Sequence, residues 1–286
     1  MRIVSLLLAL GLLPVNCVWG AGMDDVAYAG AMAAMHAGDA PVASPAAEVA
    51  PAQPVQGREL VYATVNGKPV HGYLARPKHA RGPLPGIIVI HEWWGLNDNI
   101  RHMADRLAGE GYAALAVDLY GGHAATTSAE AQRLMKSVFG DTAAAESNLR
   151  QAYAYLHDAE HAPRIGVIGW CFGGGWSLQT ALMLPDKIDA TVMYYGRPVD
   201  DVAALSKLKM PLIGFFGEED HGITVKDVQT FQQALKQAGV KAEIHEYPHA
   251  GHAFANPSGK NYQADAARDA WRRTVNFLAQ YLKGGA

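Results

Sequence analysis

The strongest constraint on this chain is an alternation. From residue 85 onward, short and mostly unbroken apolar runs (PGIIVIHE, YAALAVDLY, RIGVIGW, DATVMYYG, PLIGFFGE, KAEIHEYP) are separated by longer stretches with helical spacing. NDNIRHMADRLAGEG, VKDVQTFQQALKQAG and ADAARDAWRRTVNFLAQYL are examples. A strand that is apolar on both sides must be covered on both faces, and parallel neighbours must be joined by crossovers. The pattern therefore specifies an α/β fold with a mostly parallel central sheet and helices on both faces. Reactive side chains in such sheets collect just beyond the carboxyl ends of the strands. Ahead of the alternation, LVYATV and KPVHGYLA flank Asn66-Gly67, a pair suited to a type I′ turn, so the domain begins with a β-hairpin.

That domain is expected over residues 57–286. Half of the 286 residues are hydrophobic and 18% are charged, and the formal net charge is −3, the balance of an ordinary globule. No basic patch points to nucleic acid. At the other end, Arg2 precedes the apolar run IVSLLLALGLL, then Pro14 and the small residues Gly20 and Ala21. This reads as a signal peptide over 1–21, and hence an exported protein, periplasmic or secreted. The run is too short to span a bilayer comfortably, and no later segment is long enough, so no membrane span is expected after cleavage. Asn16, before Cys17, departs from the small residue of a lipid-modified site. Residues 22–56, with AGDAPVASPAAEVAPAQPVQ at their heart, show no helical or strand period and are expected to form a linker or loosely wrapped arm.

Removal of Cys17 would leave Cys171 as the only thiol. A lone cysteine is often a small core residue. Here it stands in RIGVIGWCFGGGW, which reads as a buried strand, an abrupt turn flanked by Gly169 and Gly173, and a helix. Such a turn lifts a strained nucleophile above the sheet and aims a helix N-terminus at it, favouring the thiolate. A glycine-rich turn can also cradle a phosphate, but the P-loop lysine and the dinucleotide spacing are missing. Asp220 follows strand PLIGFF, with Glu218 and Glu219 as rival acids, and His252 follows strand KAEIHEYP. The order nucleophile, acid, histidine is that of an α/β-hydrolase. His249 and His252 are spaced as metal ligands are, yet no acid or cysteine ligand adjoins them, so no metal or other cofactor is expected. The oxyanion donors would be the backbone N–H groups of Phe172 and Trp93. Glu92, beside Trp93, would need a partner such as the Cys171 thiol, His252 or a cation.

The motifs IVIHEWWGLNDNIR, YAALAVDLYGG, GWCFGGGW, GEEDHG and GHAFAN, in that order, resemble the dienelactone hydrolase (carboxymethylenebutenolidase) family from about Gly57 to the C-terminus. The resemblance implies an α/β-hydrolase fold and a hydrolase of esters or lactones. It implies Cys171 as nucleophile, Asp220 and His252 as its partners, and Glu92 as the acid that regulates the thiol. It also implies arginines that grip a substrate carboxylate, but those positions hold Gly121-Gly122 and Asn256, so an anionic dienelactone is not the expected substrate. Arg197 is a candidate substitute. Trp94, Tyr120, Trp176, Tyr195 and Phe254 are candidate walls of a pocket for a small ester or lactone, although each could equally be core. Two other readings remain: a non-catalytic, redox-responsive protein with Cys171 as an oxidisable thiol, or a structural protein whose arm engages the envelope. The sequence carries no signal for oligomeric state.

Overall fold

The computed structural model describes residues 25–39, 41 and 49–284; the expected signal peptide lies outside them. Strand β1 (Val55–Val65) and strand β2 (Lys68–Pro77) form the expected hairpin. Asn66 and Gly67 both take positive φ, 50° and 73°, as a type I′ turn demands. The remaining strands are β3 (Gly86–Ile90), β4 (Ala113–Val117), β5 (Ile165–Trp170), β6 (Ala190–Tyr194), β7 (Leu212–Gly217) and β8 (Ala242–Tyr247). Their order across the sheet is β1-β2-β4-β3-β5-β6-β7-β8. Pairing is antiparallel from β1 to β4 and parallel from there to β8.

Strands β3 to β7 are buried along their whole length, which is why they read as continuous apolar runs. Edge strand β8 is only half-buried, and its sequence AEIHEY is correspondingly mixed. The covering helices are α2 (Asp98–Gly109), α3 (Ser128–Gly140), α4 (Thr142–Ala154, continued by a π turn over Tyr155–Ala159), α5 (Phe172–Met183), the one-turn α6 (Val202–Leu205), α7 (Val225–Gln237) and α8 (Ala264–Leu282). Helix α5 is buried at every residue, which explains its lack of a polar face: FGGGWSLQTALM crosses the middle of the molecule.

The arm departs from its expectation. Asp25–Met35 forms a helix, α1, that packs on the body with Tyr28, Ala29 and Met32 buried. Alanines 27, 29, 31, 33 and 34 supply intrinsic helix propensity, and Asp25 favours the N-terminal dipole. The alanines also hide the period. The large side chains that dock, Tyr28, Met32 and His36, recur every four residues, but the positions between them are too apolar to contrast with that stripe. Gly38, with φ of 84°, lies just beyond the end of the helix.

Candidate active site

Cys171 occupies the turn between β5 and α5 with φ 53° and ψ −117°, a backbone state that costs a non-glycine residue about 1–3 kcal/mol. The surroundings hold it there. Its N–H donates to the Tyr194 carbonyl at 3.0 Å. A Cβ on Gly169 would collide with the Gly173 carbonyl, and one on Gly173 with the carbonyls of Ile90 and His91, so only glycines allow the turn to close. Phe172 is the first residue of α5, so its N–H has no acceptor within the helix.

Asp220 follows β7 and His252 follows β8, as expected, and the two meet. His252 Nδ1 is 2.7 Å from Asp220 Oδ2, and both side chains are buried. Asp220 Oδ1 accepts the N–H groups of Gly222 at 2.8 Å and Ile223 at 3.0 Å. Burial alone would raise the Asp220 pKa, but His252 and these N–H groups outweigh it and hold the carboxyl below its usual value. Glu219, one of the rival acids, instead faces His249 at the surface, 3.2 Å away. Burial opposes charge on His252 too, yet Asp220 and the Cys171 thiolate raise its pKa well above the ordinary value. For Cys171, burial opposes the thiolate; His252 and then His36 reverse this and bring the thiol down to about 6.

The loop after β3 is fixed by His91. Its Nε2 accepts the Leu119 N–H at 3.1 Å, which leaves Nδ1 to donate to the Glu92 carbonyl at 2.6 Å. Glu92 feels the charges of Cys171 and His252 but takes its hydrogen bonds from other residues. Asn256 Nδ2 donates to Glu92 Oε2 at 2.7 Å and the Tyr195 hydroxyl to Oε1 at 3.3 Å. These hydrogen bonds satisfy a carboxyl that burial, and secondarily the Cys171 charge, push up to about 7. Asn256, standing where the resemblance implies an arginine, is thus occupied as a support for Glu92.

The expected aromatic residues fall in three places. Tyr195 borders the histidine, its ring centroid 5.2 Å from that of His252, and Phe254 packs on Tyr195 at 5.3 Å. Tyr120 and Trp176 pack around Phe172 at 5.5 and 6.3 Å, and Tyr120 also lies against His91. Trp94 packs on Trp93, 4.9 Å away. Arg197 is turned to the arm: its guanidinium pairs with Asp25 at 2.8 Å and lies over the Tyr28 ring.

Three residues that sequence reasoning passed over, Met32, His36 and Asp39, stand over the thiol or support it. Met32 Sδ is 3.6 Å and His36 Nε2 3.8 Å from Cys171 Sγ. His36 stacks on Trp93, 4.5 Å between centroids, and its Nδ1 meets Asp39 Oδ2 at 2.9 Å. Burial opposes charge on His36, but Asp39 and Cys171 raise its pKa overall. The available signal was the four-residue spacing of Tyr28, Met32 and His36 followed by Asp39. With α1 docked, Cys171 is 0% exposed.

Residues 70–282 match the model of the dienelactone hydrolase family. A curated protein of Escherichia coli K12 described as "Putative carboxymethylenebutenolidase" is 33% identical over 264 residues, covering 85% of this chain and 95% of its own length. "Protein usf" of Aquifex pyrophilus is 33% identical over 231 residues, 78% of this chain and 99% of its own. Among solved structures, one titled "Putative Dienelactone Hydrolase", from Klebsiella pneumoniae, superposes with a TM-score of 0.72 at 31% identity. It covers 80% of this chain and all of that one.

Proposed function

This chain belongs to the dienelactone hydrolase family, and on that premise we propose that it hydrolyses ester or lactone bonds through Cys171, with His252 and Asp220 as its proton-handling pair. The observation that carries the reading is the meeting of Asp220, His252 and the strained Cys171 at the carboxyl ends of β7, β8 and β5, strands of one parallel run with β6 between β5 and β7. In the reaction the Cys171 thiolate adds to the carbonyl carbon, and the oxyanion is received by the N–H groups of Phe172 and Trp93. Collapse expels the alkoxide or enolate, which takes a proton from His252 and leaves a thioester. Water, deprotonated by His252, then attacks the thioester, and the carboxylic acid departs as the thiolate is restored.

Two features narrow the substrate. A thiolate is itself a good leaving group, so the first adduct moves forward best with an enol or aryl ester or an enol lactone. Gly121, Gly122 and Asn256 provide no guanidinium where the family resemblance implies one. This favours a neutral substrate over an anionic dienelactone. Access is the other requirement. A thiol covered by α1 receives no ester, so turnover requires α1 to leave its seat. The N-terminal apolar run supports export of the chain to the periplasm or beyond.

The test is hydrolysis of p-nitrophenyl acetate and of an enol lactone by the wild type, Cys171→Ala and His252→Ala. Both variants are expected to lose about two to four orders of magnitude in rate. A Cys171→Ala protein as active as the wild type would sink the mechanism.

A further inference from the structure

Two histidines converge on one thiol, and each is oriented in the same way. Asp220 holds Nδ1 of His252, and Asp39 holds Nδ1 of His36, so each ring is left with Nε2 to direct elsewhere. His36 Nε2 faces Cys171 Sγ, and His252 Nε2 is buried with no hydrogen bond of ordinary geometry. The ligand atoms of His36, Cys171 and His252 lie within 4.8 Å of one another. Met32 Sδ, 3.6 Å from Sγ, adds a fourth donor. All four residues are buried.

A carboxylate on the far nitrogen of an imidazole is the usual support of a metal-bound histidine. In a tetrahedral site with metal–sulfur near 2.3 Å and metal–nitrogen near 2.0 Å, neighbouring donors stand about 3.5 Å apart. The donors of His36, Cys171 and His252, within 4.8 Å of one another, need to close by up to about 1.3 Å to reach that spacing. Thiolate, thioether and two imidazoles form a soft set that suits copper, and the same donor types hold mononuclear copper in electron-transfer sites. One of the donors, His252, borders a cleft. This cleft of about 620 Å³, lined by Met35, His221, His249, His252 and Lys260 among others, opens beside the end of α1.

We infer that Met32, His36, Cys171 and His252 form a binding site for a single copper ion, completed only when α1 is docked. The ion replaces the proton of the Cys171 thiol, and that proton leaves to solvent. Lys260 secures the arm's half of the site: its Nζ donates to the Ala37 carbonyl at 2.6 Å and its N–H to Asp39 Oδ1 at 3.3 Å. A bound ion would occupy the only thiol among the described residues, so the metal-loaded form and an attacking thiolate exclude each other. The inference stands without the hydrolytic reading.

The experiment is anaerobic titration of the full, metal-free chain with Cu(I) against a chromogenic copper chelator, with no substrate present. One ion per chain is expected. Cys171→Ala should abolish that binding, and His36→Ala and Asp39→Asn should each weaken it about ten- to a hundredfold. Reoxidation of the loaded wild type should produce an intense visible thiolate-to-copper absorption. Asp39→Asn keeps the side-chain shape, so it remains informative if His36→Ala fails to fold. Binding undiminished in Cys171→Ala, as surface histidines alone would give, overturns the site. Wild-type affinity in Asp39→Asn overturns the arm's part in it.

Discussion

The two histidine–carboxylate pairs facing Cys171 are chemically alike and structurally opposite. Asp220 and His252 are 32 residues apart and come from loops after adjacent parallel strands; the carboxylate is locked by two backbone N–H groups. His36 and Asp39 are three residues apart on an arm, and Asp39 accepts one backbone N–H, from Lys260. The first pair is part of the sheet's rigid edge and cannot leave without unfolding it. The second lies in the turn that follows α1, an arm tied down by Tyr28, Met32, the Asp25–Arg197 pair and hydrogen bonds from Gln132 and Ser128 to the carbonyls of Ala29 and His36. On the proposed reading, reactivity belongs to the scaffold's pair, and access to it depends on whether α1 stays docked.

Deleting residues 22–48 breaks the comparison most severely. If the undocked state of the full chain is populated at about 1–10%, deletion should raise both ester turnover and the rate of Cys171 alkylation by iodoacetamide about ten- to a hundredfold. Equal alkylation rates in the two proteins would show that the helix does not guard the thiol.

The next effect is in pH. In chelator-treated wild type, the thiolate ultraviolet absorbance assigned to Cys171, by difference from Cys171→Ala, should appear as pH rises through about 6. Lowering the pH from 7 to 5 should therefore reduce the thiolate about tenfold, and ester hydrolysis with it. His36→Ala should move the midpoint upward, because the charge and hydrogen bond of His36 both favour the thiolate. An unmoved midpoint would mean that only the scaffold's pair activates Cys171.

The smallest expected effect belongs to the tether. The Asp25 side chain is 39% exposed, so its pair with Arg197 contributes no more than about 1 kcal/mol to docking. Asp25→Asn should accelerate alkylation about two- to fivefold, read in the same assay.

Much of this was legible before the fold was known, for particular physical reasons. Strands β3 to β7 are buried on both faces, so their apolar runs stood out. The glycines around Cys171 marked a turn that no other residue type closes. The support of Glu92 by Asn256 and Tyr195 was not legible, since it joins residues 164 and 103 positions apart. Neither was the seat of α1, whose alanines blur the contrast between its docked and solvent faces.

By itself, the sequence determined the parallel sheet, the hairpin turn and the strained cysteine between strand and helix, because these follow from local periodicity and from backbone states open only to certain residues. Only the tertiary structure decided that His36 stands 3.8 Å from a thiol 135 residues away. That approach depends on the shape of the surface on which α1 lands, and no local pattern in the chain encodes such a surface.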